Sequence, residues 1–228
     1  MKVTATGLIR SGSIAALVAG LLFVVIQPLH PADALTSVTA PAWSFIHAAT
    51  CLMLVLFVAG VTGIYARQAE KAGWLGLVGY IALSLGLLIT AAFTFVEAFI
   101  EPILAEASPA FVAGLLGMVE GVPSDFDLGA LPTIYSISSA LFLGGCIVFG
   151  IATIRARILP RAAAALFGFG IVVSAPLTAA LHTPRVAAVP IGLGLAWLGY
   201  ALWSEKRAAA SEPLAGLVLS QPGETGAA

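Results

Sequence analysis

The chain has 228 residues, 60% of them hydrophobic and only 9% charged, with a formal net charge of -1. Its mean hydropathy of +1.06 excludes an ordinary soluble globular domain. The near-zero charge and the lack of a basic amphipathic helix give no reason to expect a nucleic-acid partner.

Six apolar runs, with no charged residue but Glu97 and the leading Arg161, follow one another along the sequence: residues 11–29, 43–65, 74–100, 131–154, 161–181 and 186–203. A hydrocarbon core takes roughly 20 apolar residues per helical crossing, so each run is long enough to cross. Backbone amides find no water partner in lipid, and a barrel would alternate apolar and polar residues, which these runs do not. The expected fold class is therefore all-α: an integral membrane bundle of six transmembrane helices over residues 1–207, with the lipid bilayer as its surroundings.

The first run begins like a secretory signal, with Lys2 and Arg10 ahead of it and Ala32-Asp33-Ala34 resembling a cleavage site. Its apolar stretch is long for a signal, and retention as a crossing is the expectation. Arg67 and Lys71 separate the second and third runs. Arg155, Arg157 and Arg161 separate the fourth and fifth, and Lys206 and Arg207 follow the sixth. With six crossings these nine basic residues share one side and only Arg185 lies on the other. The positive-inside bias then places both termini in the cytoplasm. Trp43, Trp74, Trp197 and Trp203 sit near run ends, where interfacial rings collect.

The connection 101–130 is long, acidic and outward-facing in this scheme. Ser108 reads as an N-cap, Pro109 as a first helical residue, and Phe111, Leu115, Met118 and Val119 recur at helical spacing before Gly121 and Pro123. A short interfacial helix is expected there, as a connector or as a lid. Cys51 and Cys146 fall within crossings and read as packing residues. Residues 208–228 read as a disordered cytoplasmic tail. Gly63-Ile64 before Arg67 and Gly150-Ile151 before Arg155 hint at two parallel hairpins.

The third crossing carries a polar stripe. At 100° per residue, Gly76, Gly79, Leu83, Gly86, Thr90, Thr94, Glu97 and Glu101 fall on one face. Small residues allow close helix approach, so this face should turn into the bundle, with Gly76, Gly79, Gly86, Thr90 and Thr94 packing against a neighbour. Packing does not account for Glu97. A carboxylate within a crossing is costly and normally faces a partner or a wet cavity. By helical rise Glu97 lies about 34 Å from Trp74, near the outer boundary.

The remaining unusual groups reach the same level: His30, His47, His182, Arg185 and, opening the fourth crossing, Tyr135. A polar cleft lined by Glu97, Glu101, His47, His182, Arg185 and Tyr135 could take a small-molecule or lipid ligand. The specific pairing expected is Glu97 with Arg185. His30, His47, Glu97, Glu101 and His182 are also ordinary metal-ligand types, but no compact metal motif joins them. No haem pair sits at matching depth, no serine has a triad context, and no cofactor is favoured.

The strings Gln27-Pro-Leu-His-Pro-Ala-Asp33, Arg155-Ala-Arg-Ile-Leu-Pro-Arg161 and Trp197-Leu-Gly-Tyr-Ala-Leu-Trp203 resemble uncharacterised bacterial six-span membrane proteins. That resemblance implies a bacterial cytoplasmic membrane and carries no chemistry. The function expected from the residues is non-catalytic: binding, transport-related or accessory, with an outward polar cleft. A membrane-embedded enzyme acting on an outer-leaflet substrate, with a metal or without, and a structural subunit of a complex are the alternatives. Nothing in the sequence indicates an oligomeric state.

Overall fold

The computed structural model describes residues 4–181, 185 and 188–219, with no strand among them. Eight helices follow in order: α1 Ala5–Leu29, α2 Leu35–Val38, α3 Pro41–Phe99, α4 Glu101–Ala107, α5 Pro109–Glu120, α6 Leu131–Ala156, α7 Arg161–Leu181 and α8 Ala188–Leu219. Three of them, α1, α3 and α6, are long and apolar enough to cross a membrane.

α1 starts where the Thr4 hydroxyl accepts a hydrogen bond from the Gly7 N–H at 3.1 Å. Such a cap satisfies a helix donor that would otherwise lack a partner. α3 is two antiparallel arms, 41–72 and 74–99, reversing at Gly73 with φ 56° and ψ -153°. That conformation is essentially reserved for glycine. The arms are tied by Tyr65 stacked on Tyr80 at 4.9 Å and by the Thr62–Tyr80 hydroxyl contact at 3.1 Å. The helix thus runs through Arg67 and Lys71, which the sequence reading places in a loop. Both residues favour helix, and nothing breaks it before Gly73.

The packing order closes a ring. The first arm of α3 lies against α1, α1 against α8, α8 against α7, α7 against α6, and α6 against the second arm. Phe57, Phe149 and Phe167, all fully buried, fill the middle with Leu83, Leu87 and Leu195.

Along the α3–α6 seam the glycines of the polar stripe meet backbone. A Cβ at Gly79 would stand 2.6 Å from the Phe149 nitrogen, and one at Gly86 would stand 2.5 Å from that of Phe142. Gly76 instead faces the Ala72 and Tyr65 side chains of the first arm. The Ser138 hydroxyl donates to the Gly86 carbonyl at 2.9 Å and meets the Thr90 hydroxyl at the same distance. Gln68 donates to Thr153 at 2.7 Å nearer the other end.

One end of the bundle is basic, where Arg67 pairs with Glu205 at 3.2 Å. The other holds the connections around α2, α4 and α5 and is the loop-rich end. α5 begins at Pro109 as expected and stops at Gly121 in a left-handed conformation, φ 74°. Ser108 occupies the cap position without a side-chain cap bond. α8 continues to Leu219, and the rest of the expected tail, residues 220–228, lies outside the described residues.

Candidate functional site

The loop-rich end gathers its polar groups from six places in the chain. His30 caps the C-terminus of α1, Asp33 follows in the connection to α2, and His47 stands one turn inside the first arm of α3. Glu97 ends the second arm, Glu101 opens α4, and Arg185 precedes α8. His182 lies outside the described residues.

Trp43 organises the centre. It is 1% exposed, and its indole N–H donates to the Glu97 carbonyl at 2.8 Å, which locks the two arms of α3 together at this end. Its own carbonyl accepts from His47 Nδ1 at 2.8 Å. The indole lies over the His47 ring with centroids 4.2 Å apart. His30 approaches the same imidazole edge-on at 4.7 Å. Trp43 is therefore a buried anchor, where the sequence reading makes it an interfacial ring; Trp74, 81% exposed, suits that description better.

The ionic partners differ from the expected ones. Arg185 is bonded to Asp33, and Glu97 Oε2 faces His47 Nε2 at 3.7 Å. The expected Glu97–Arg185 ion pair is corrected accordingly. Its failure has a topological cause: Arg185 leads into α8, which packs on α1, so the carboxylate it meets is the one that follows α1. Glu97 sits on the arm that packs on α6, away from that side. Asp33 also lies 3.9 Å from His30 Nδ1, the nitrogen bonded to the Pro31 carbonyl at 2.7 Å.

Glu101 is 1% exposed, and its Oε2 is buried without a hydrogen-bond partner. Burial, reinforced by the Glu97 and Asp33 carboxylates, pushes its carboxyl up from 4.5 to about 8. Burial also lowers the His30 imidazole below 6.5, and Arg185 adds to that effect. Thr94 is buried on the same stripe. Tyr135 packs edge-on against Phe93 at 5.4 Å, and no hydrogen bond ties it to the cluster among the described residues. Among the described residues no three His, Cys, Asp or Glu side chains form a group that could hold a metal ion.

Asp33 and Trp43 are the residues that sequence reasoning missed. Trp43 and His47 stand four apart on one helical face, which was the available signal. Asp33 is the single acid in the stretch between α1 and α3, and such loop carboxylates are usually solvated.

Beneath the cluster, a cavity of about 130 Å³ is lined by Thr50, Thr90, Phe23, Phe57 and Phe142 among others. An apolar groove of about 420 Å³ runs beside it between α3, α5 and α6, with Phe93, Ile100, Phe111 and Ile134 in its walls. No known family model matches the chain. Comparison with curated proteins and with solved structures finds no match either.

Proposed function

We propose that the chain is a non-catalytic binding, transport-related or accessory protein of the bacterial cytoplasmic membrane, and that the loop-rich end is its binding cleft. In this reading it crosses the bilayer six times with both termini inside, and the cleft opens to the outer side. α5 lies along the outer surface.

The observation that carries the reading is the convergence of His30, Asp33, His47, Glu97, Glu101 and Arg185 at one end of the bundle. The buried members, His47 and Glu101, would be costly there without a role, since buried polar groups in a membrane helix bundle cluster where ligands or ions pass. Several features support the membrane placement. Large apolar side chains face outward along the helices, Leu52, Val55, Val78, Ile81 and Leu88 among them. Each arm of α3 is longer than the roughly 20 residues a crossing takes. α7, with 21 residues, spans about 32 Å by helical rise. Arg10, Arg67, Lys71, Arg155, Arg157 and Arg161 gather at the opposite end, as the positive-inside bias requires of a cytoplasmic face.

Cysteine labelling of intact cells tests this. In a Cys51→Ala/Cys146→Ala background, a membrane-impermeant maleimide should react with Ser124→Cys in the outer connection and with His30→Cys in the cleft. It should not react with Lys71→Cys or Arg157→Cys. Labelling at residue 71 from outside, or none at residue 30, would overturn the outward cleft.

A further inference from the structure

We propose that His47 and Glu97 form a proton-binding site that takes up and releases one proton at the loop-rich end, shared between the imidazole Nε2 and the carboxyl. This rests on reading the cluster as a binding cleft and names its ligand.

The tautomer comes first. His47 Nδ1 is bonded to the Trp43 carbonyl, which can only accept, so Nδ1 carries the hydrogen. In the neutral ring Nε2 is then a bare lone pair, and it faces Glu97 Oε2 at 3.7 Å. Two bare acceptors turned towards each other in a buried site repel. A single proton on either one makes the contact attractive. The gap is about one ångström longer than a charge-assisted hydrogen bond, a distance that rotation of the Glu97 side chain closes.

Charge accounting points the same way. The groups around the pair are His30 at the end of α1, Asp33 in the following loop and Cys51 one turn along the same arm. Glu101 comes from α4, Tyr135 from α6 and Arg185 from ahead of α8. Asp33 and Arg185 satisfy each other. What remains is two carboxyls and two imidazoles, and among the described residues Arg185 is the one Lys or Arg at this end. The cluster needs a cation. Glu101, buried with an unpartnered oxygen, keeps its own proton up to about pH 8, which leaves Glu97 as the carboxylate to be matched.

The His47 ring is crowded by its neighbours. Trp43 lies 4.2 Å from the His47 ring on one side, and His30 approaches at 4.7 Å on another. Access is one-sided as well. Towards the basic end Phe23, Phe57 and Phe142 meet edge to face with centroids 6.1 to 6.4 Å apart. That aromatic layer lies between the pair and the other face of the bundle.

Trp43 reports on the site, because an imidazolium stacked on an indole quenches its fluorescence. Trp74, Trp197 and Trp203 are replaced by Phe in the full chain, in detergent, and Trp43 emission is followed against pH. Emission should fall as the proton is taken up. Glu97→Gln should move the midpoint to lower pH by about one unit or more, the usual effect of removing a neighbouring carboxylate, and His47→Gln should abolish the transition. Flat emission from a folded protein, or a midpoint indifferent to Glu97→Gln, overturns the proposal.

If the triple Phe variant does not fold, infrared spectroscopy of the chain with its tryptophans intact answers the same question. A protonated-carboxyl or imidazolium signal that titrates between roughly pH 5 and 9 and changes in Glu97→Gln supports the site. Spectra that superimpose on the parent's throughout overturn it. Titration in detergent does not depend on which side of a membrane the cluster faces, and labelling at residue 30 does not depend on proton uptake. The two failures are therefore distinct.

Discussion

Gly144 and Gly145 are adjacent on α6 and should respond oppositely to alanine. A Cβ at Gly145 would lie 2.6 Å from the Leu83 Cα, whereas one at Gly144 has nothing within 4 Å. Ordinary contact begins near 3.4 Å and the Leu83 nitrogen stands closer still, so Gly145→Ala requires the second arm of α3 and α6 to part by about 1 Å. The obstructing atoms are backbone, which cannot turn aside as a side chain can. The rest of the seam, including the Ser138–Gly86 bond, would move with them. Both substitutions gain roughly 0.8–1.0 kcal/mol of helix propensity. Only Gly145→Ala incurs the overpacking penalty of about 1–3 kcal/mol. Propensity cancels in the comparison, leaving Gly145→Ala less stable than Gly144→Ala by about 1–3 kcal/mol. Unfolding in mixed micelles of mild detergent and dodecyl sulfate, followed by circular dichroism, measures the difference. Equal shifts for the two variants would refute the close packing of this seam.

Three further outcomes are expected. Asp33→Asn and Arg185→Gln should each destabilise the protein by about 1–3 kcal/mol, less than a fully buried pair because both groups keep some exposure. The double variant should recover part of the loss, while Arg185→Gln combined with Glu97→Gln should be nearly additive; strong coupling in the latter would restore the Glu97–Arg185 pairing. Glu101, raised from 4.5 to about 8, favours the folded state when neutral. Its contribution is therefore complete below pH 4.5 and lost as pH rises through about 8, an effect on the order of a few kcal/mol. Glu101→Gln should flatten that part of the stability–pH curve, and an unchanged slope would contradict the burial of Glu101. Gly73→Ala meets no atom within 4 Å, yet should cost about 1–3 kcal/mol through backbone strain alone; a neutral result in the same assay would mean that the reversal of α3 has another geometry.

The helical class of the fold was legible because apolar runs free of charge leave the backbone one way to satisfy itself. The glycine face of the third run was legible because periodicity exposes it, but not its partner. That Gly79 and Gly86 meet α6 depends on the order of helices around the ring, which no local pattern encodes. The same limit explains the Glu97–Arg185 error. Depth along a helix can be counted at 1.5 Å per residue, so both residues were placed at one level; the angle around the bundle could not be counted. Local signals fared unevenly too. Gly121 ends α5 by adopting positive φ, while Ser108, a good cap by residue type, makes no cap bond. The short α2 carries too little periodicity to be seen, although its Val38 is fully buried beside Trp43.

The two ionic groupings at the loop-rich end do different work. Asp33 with Arg185 is sufficiently explained by architecture: it fastens the end of α1 to the start of α8, two helices already packed along their length, and both members keep solvent contact. His47 with Glu97 has no such explanation. The arms of α3 are already joined there by the Trp43 N–H and the Glu97 backbone carbonyl, a bond that does not use the Glu97 side chain. Well-packed apolar side chains of similar volume commonly equal or exceed a buried polar pair in stability, and the core around Phe149, Phe167 and Leu195 achieves such packing in the same bundle. Glu101, buried with an unpartnered oxygen, adds cost at the same place. The fold therefore does not require these groups where they are, and their charge state is what remains for a function to use.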